Sequence, residues 1–218
     1  MISFSLWDIL RNLLLAGRWT IALSLATFFL GGMLGLLILF IRTSKSRALQ
    51  NVARVYIEIF QGTPLLMQLF LVFFGVALFG FEVPAWLAAG LTLTLWSASY
   101  LAEIWRGCVE SIPRGQWEAS SVLAMNYVQQ MRYVILPQAL RIAIPPTIGF
   151  SVQIIKGTAV TSIIGFVELS KAATVITNAT FMPFTVYAAA GLFYFMLCWP
   201  LSKYSQFLER KYHAAHHH

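Results

Sequence analysis

The sequence predicts an all-α integral membrane protein of five spans, interrupted by one long polar segment on the cytoplasmic side. Three observations predict this class. Of the 218 residues, 59% are hydrophobic and 11% charged, against about 25% charged in a typical soluble domain; mean hydropathy is +0.73. Several apolar stretches reach the roughly 20 residues that a helix needs to cross a bilayer. The ten-residue alternating segments of a membrane β-barrel are not found in the sequence.

The spans follow in order. Residues 1–18 form a periplasmic N-terminal segment. The first span runs from Trp19 to Ile41 and carries Gly31, Gly32 and Gly35, small residues that let another helix approach closely. Its apolar stretch is too long for a secretory signal, and no small-residue cleavage site follows it. The second span runs from Tyr56 to Gly80, with Thr63–Pro64 expected to kink it and free backbone groups. After the linker FEVP, the third runs from Ala85 to Trp105. The polar segment covers 106–141. The fourth span begins near Pro145 and is broken. The fifth runs from Thr185 to Tyr204, closing a transmembrane domain of residues 19–208. Residues 209–218 form a charged cytoplasmic tail ending in AAHHH, which reads as a purification-tag remnant, so His216, His217 and His218 are set aside. Cys108 and Cys198 lack metal-ligand spacing and read as free thiols.

Basic residues set the orientation. Arg42, Lys45, Arg47, Arg54, Arg106, Arg114, Arg132, Arg141, Lys203, Arg210 and Lys211 fall on one side of a five-span chain. Arg11, Arg18 and Lys171 fall on the other, and Lys156 lies inside a span. The positive-inside rule then puts the N-terminus outside, with the C-terminus and segment 106–141 in the cytoplasm. The net charge of +7 reflects this anchoring and gives no reason to expect a nucleic-acid partner.

Within the polar segment, Glu118 to Met125 forms a short helix. Asn126 reads as the N-cap of a second helix, and Gln129 completes a capping box. That helix presents Val128, Met131 and Ile135 on one face, and Pro137 is expected to stop it. The pair makes a compact knob with its angle at Ala124–Asn126. Periodicity leaves two readings open: a hairpin resting on lipid headgroups, or a docking element for a soluble partner.

The run EASSVLA, followed by ILPQALRIAIPP, resembles the EAA loop of ABC-importer permeases. LSLATFFLGGMLGLLILFIRTS is similar to that family's first span, and QGTPLLMQLF, ASYLAEIWRG, SIPRGQWEA and TSIIGFVEL resemble its polar amino-acid branch. The resemblance covers nearly the whole chain. It implies a type I importer permease in the bacterial inner membrane, taking up polar amino acids by alternating access. It implies an ATPase dimer docked on the loops, a second permease of the same or a homologous kind, and a periplasmic amino-acid-binding protein. It also implies coupling through Arg114, Glu118, Ala119, Ser120, Leu123, Ala124, Met125 and Asn126. Four departures stand out. Ala124 replaces the loop's glycine and is expected in ordinary backbone geometry. Ser120 replaces the second alanine, and Gln61 an arginine. Gly157 replaces an acidic residue after Lys156, which points to a heterodimer in which this chain contributes less to binding.

A substrate pathway has its own candidates. Lys156 lies about 16 Å along the helix from Pro145, near the midplane. It is followed by Gly157 and Thr158, which can interrupt the helix as in other midplane transport sites. Its ammonium could meet a substrate carboxylate or a protein oxygen. Glu103 could contact a substrate amino group or pair with Arg106. Glu58 reads as interfacial. Thr63, Pro64, Ser97, Ser99 and Tyr100 could line the same cavity, although serine also packs helices. The run FLVFFGVALFG faces lipid or neighbouring helices.

There is no G-x-x-x-x-G-K-[ST] loop, metal cluster or carboxylate pair. The chain reads as non-enzymatic and free of cofactors, with ATP and Mg bound by the partner ATPase. An ATPase-independent channel or ion-coupled carrier would also explain Lys156 and the broken span, but it leaves the cytoplasmic knob without a purpose.

Overall fold

A computed structural model describes residues 5–44 and 46–214, which form helices and turns without a strand. Lys45 and residues 215–218, with the three terminal histidines, lie outside the described residues.

The first helix, α1, runs from Leu6 to Arg42, well before the expected start at Trp19. Ser5 caps it: its hydroxyl accepts the Asp8 N–H, and the Asp8 carboxylate accepts the Ser5 N–H at 3.0 Å. This reciprocal cap starts a helix where composition alone suggests a tail. Its 37 residues rise about 55 Å, more than the roughly 30 Å hydrocarbon core.

α4 (Ala85–Glu110) packs along α1. The glycine face makes this possible. A Cβ on Gly35 would lie 3.1 Å from the Ala98 carbonyl oxygen, and one on Gly31 would lie 2.0 Å from Ser97 Oγ.

The expected second span is instead two helices, α2 (Arg47–Gly62) and α3 (Leu65–Phe70), the latter extended by a π turn over Leu71–Gly75. They meet at 105°, a break rather than a kink. Pro64 disfavours helical geometry in the residue before it, and Thr63 is extended at φ −118°, ψ 144°.

The polar segment holds α5 (Arg114–Val122) and α6 (Tyr127–Gln129). From there the chain stays helical through a π turn (Gln130–Ile135), α7 (Leu136–Thr158) and a 3₁₀ turn (Ala159–Ile164). This corrects two expectations: Pro137 does not stop a helix, and the fourth span does not begin near Pro145. Pro137 follows a π turn, whose i→i+5 pairing places no demand on its missing N–H. At Pro145–Pro146 hydroxyls supply nearby bonds: Thr147 Oγ1 donates to Ala143 O at 2.6 Å, and Ser205 Oγ to Pro145 O at 2.7 Å. Neighbouring side chains commonly support prolines in membrane helices this way. The break in the span comes later, at Gly165 with φ +91°.

α8 (Leu169–Thr180) was not expected, and α9 (Pro183–Ala214) absorbs most of the anticipated tail. Among the described residues four helices are long and apolar enough to cross a membrane, or five spans when the bent α2–α3 pair is counted as one.

Candidate functional site

The polar segment is a braced knob. α5 ends with the Met125 N–H bonded to Ser120 O (3.3 Å) and the Ala124 N–H to Ser121 O (2.9 Å), the paired bonds of a Schellman turn. That turn needs a left-handed residue, and Ala124 has φ 56°. The expectation of ordinary geometry at Ala124 is therefore corrected: the turn dictates the backbone, at a cost of roughly 1–2 kcal/mol for a residue with a Cβ. Asn126 Oδ1 then accepts the Gln129 N–H at 3.0 Å, and Gln129 Oε1 accepts the Asn126 N–H at 2.9 Å.

Further bonds hold the two helices together. Gln130 Nε2 donates to Ser121 Oγ at 2.8 Å and lies 3.1 Å from Met125 O. Trp117 stacks on Tyr127 at 6.3 Å. Ser120 is buried, and Ile112, Ile135 and Ala139 form a small core beneath, with Trp117 and Met131 against it. Of the face expected to anchor the second helix, Ile135 and Met131 turn into this core, and Val128 stays exposed. A hairpin lying flat on lipid would present all three. Outward point Arg114, Glu118, Ala119, Leu123, Ala124 and Asn126, with Met125 half-buried. The apex is apolar, with Val122 86% and Leu123 75% exposed.

The second arrangement surrounds the α2–α3 break. Gln68, buried in α3, places Nε2 2.8 Å from Phe60 O and 3.0 Å from Thr63 O. Gln61 Nε2 ties the end of α2 to Ser99 O on α4 at 3.1 Å. Residues 61–64 remain exposed. Non-helical backbone at membrane depth does not face lipid, so this face meets water or another protein surface. α7 passes behind it: a Cβ on Gly157 would lie 3.5 Å from Leu65 Cδ2 and 3.4 Å from Leu93 Cδ2. Lys156, the next residue, is exposed and joins no ion pair among the described residues. Gln153 is exposed one turn before it.

The other candidates are placed differently. Tyr100 is half-buried and stacked on Phe150 at 5.3 Å. Thr158 is buried, its hydroxyl on Ile155 O at 2.7 Å. Ser97 is buried beneath Gly31 in the α1–α4 contact. Glu103 faces Arg106 through Nη2 at 2.8 Å and Arg42 at 3.9 Å, and Arg106 also bonds Glu110. Glu58 is exposed. The geometry thus sets Leu65, which follows Pro64, against Gly157, leaves Lys156 exposed on α7 within reach of Cys198 on α9, and holds Ser97 in packing and Glu103 in an ionic cluster. Sequence reasoning missed Gln68 and Glu168. Gln68 is an amide in an apolar run, and Glu168 is an acid directly before a helix, a pattern that signals an N-cap. Among the described residues no His/Cys/Asp/Glu group could hold a metal.

Comparison with known proteins places this geometry. Residues 27–213 match the family described as binding-protein-dependent transport system inner membrane component. The chain belongs to that family. Its members are transport permease components rather than enzymes. The chain is 37% identical over 194 residues to a probable amino-acid ABC transporter permease protein, YckA, of Bacillus subtilis, covering 89% of this chain and 86% of that one. It is 32% identical over 209 residues to the glutamine transport system permease protein GlnP of Escherichia coli, covering 95% of each. A crystal structure of an amino acid ABC transporter with histidines superposes with a TM-score of 0.90 at 31% identity, covering 96% of this chain and all of that one. An inward-facing methionine ABC transporter shares the fold, with a TM-score of 0.74 at 21% identity over 92% of this chain and 96% of that one. The family fold is thus the type I importer permease, with several membrane-crossing helices.

Proposed function

We propose that this chain is the membrane half of an ATP-driven importer for polar amino acids, working by alternating access in the bacterial inner membrane. The observation that carries the reading is the unbroken helical run of 38 residues from Tyr127 to Ile164. It joins the braced knob at one end to Lys156 and the α2–α3 break further along. A push on the knob therefore reaches the pathway through one continuous helical element, with no loop to absorb it.

An ATPase dimer takes the exposed apex, Val122–Leu123, flanked by Arg114 and Glu118. A second permease faces residues 61–64 across a water-filled pathway, an environment that exposed non-helical backbone requires and lipid does not offer. A periplasmic binding protein delivers the amino acid, and Lys156 meets its carboxylate. ATP and Mg stay on the ATPase.

The test is co-expression with candidate ATPase and binding-protein partners, followed by purification and uptake of labelled glutamine, histidine, glutamate and cystine into proteoliposomes. The reading predicts stoichiometric ATPase and ATP-dependent uptake of at least one of them. Uptake by the chain alone, without ATP, would instead mark a channel or ion-coupled carrier.

A further inference from the structure

Glu168 is a buried carboxylate that the coupling and pathway assignments leave unused. It is 0% exposed and joins no ion pair among the described residues. It lies just beyond the far end of the 38-residue run, after the left-handed turn at Gly165.

Its two oxygens have different partners. Oε1 accepts the backbone N–H groups of Ser170 at 2.7 Å and Lys171 at 2.9 Å. This is an N-cap, and it stays within α8. Oε2 reaches other helices: Tyr194 Oη on α9 donates to it at 2.7 Å, and Thr20 Oγ1 on α1 at 3.3 Å. The surrounding hydrogens are consistent with this. Thr20 Oγ1 also accepts the Leu169 N–H at 3.1 Å, and Ser170 Oγ lies 3.0 Å from Tyr194 Oη, to which it can donate. Each group placed on the carboxylate is a donor, as an acceptor-only group requires.

One side chain therefore joins α1, α8 and α9 at a single point. Between this point and the 3₁₀ turn lie only Gly165, Phe166 and Val167. Those three residues also line an apolar cleft of about 630 Å³ with Trp19, Leu23 and Trp86. This short connection between the end of the helical run and α8 is thus held at its far side by Glu168.

We propose that Glu168 is a positioning residue of the transport cycle: Oε2 latches α1 and α9 to the start of α8, so that motion of α7 is converted into rearrangement of the Gly165–Val167 segment instead of being lost in a drift of α8. The proposal rests on the coupled-permease reading above. A bond to a charged acceptor, buried where water cannot replace it, is worth enough to change the yield of a coupled step by about tenfold.

The experiment uses the reconstituted complex with its ATPase and loaded binding protein, and reads uptake per ATP hydrolysed. Tyr194→Phe removes one Oε2 donor and leaves the Glu168 N-cap bonds in place. Thr20→Val removes the other together with the acceptor of the Leu169 N–H, and Thr20→Ser, which keeps the hydroxyl, is its control. Glu168→Gln removes the charge. The expected result for Tyr194→Phe is about a tenfold fall in uptake per ATP, with stimulated hydrolysis and membrane yield near wild type, and a smaller fall for Thr20→Val with its longer bond. Should Glu168→Gln fail to accumulate, the two hydroxyl variants carry the test. An unchanged ratio in both, or uptake and hydrolysis falling in equal proportion, overturns the latch. A wild-type complex without stimulated hydrolysis overturns the coupled-permease reading as well; a coupled wild type with unaffected variants overturns the latch alone.

Discussion

Ala124 holds φ 56° at the apex of the knob, where a Cβ crowds the following carbonyl and glycine does not. Ala124→Gly should therefore leave coupling intact and raise the thermal midpoint by about 2–4 °C, the shift that about 1 kcal/mol produces in a chain of this size. Ala124→Val should lower it. Thermal unfolding in detergent reads both. Glu103 and Lys156 make a contrasting pair. Glu103 is held by Arg106 and Arg42, partly exposed, so Glu103→Gln should cost about 1 kcal/mol or less and leave the KM for uptake unchanged. Lys156 is exposed and joins no ion pair among the described residues. Lys156→Met should raise KM by roughly tenfold, the scale of one hydrogen bond to a charged group. Kinetics of uptake on both variants separates the two roles.

At the scale of elements, the α1–α4 contact is set by how closely two backbones approach. Gly31→Ala would bring a methyl to 2.0 Å from Ser97 Oγ and 3.3 Å from Thr94 O. Overpacking of this kind costs about 1–3 kcal/mol. Ser97→Ala should restore part of the loss by removing the nearer atom, whereas Gly35→Ala, which meets the Ala98 carbonyl, should have no such rescue. Midpoints of the single and double variants check this. The same elements show what local sequence can reveal. The glycine face, the Asn126–Gln129 capping box and the knob's angle depend on neighbours within a few residues, and the sequence expressed them. Pro137 and Pro145 misled because the local rule treats proline as a helix stop. Ser205, which donates to Pro145 O, lies 60 residues away, and Thr20 lies 148 residues from Glu168. The α2–α3 break was legible as a kink at Thr63–Pro64, but the 105° bend is accompanied by Gln68 bonding back across it to Phe60 O and by Gln61 tying the end of α2 to Ser99 O on α4, 38 residues away.

Across the whole molecule, α1 packs against α4, α4 against α7, and α7 against α9. The run through α7 carries the second helix of the knob at one end and leads into the far-end turn at the other, and α4 packs beside it from Val109 at the knob to Ala88 near Ile164. The central claim is that residues 114–126 pass the ATPase's motion into this run. The most direct test is ATP hydrolysis by the reconstituted complex, titrated with loaded binding protein, for wild type and Glu118→Lys. Glu118 is exposed and forms no ion pair among the described residues, so reversing its charge leaves folding and insertion intact. The account predicts that stimulation is lost while the chain still inserts. Stimulated hydrolysis and uptake equal to wild type would contradict it and leave the knob as a membrane-surface hairpin.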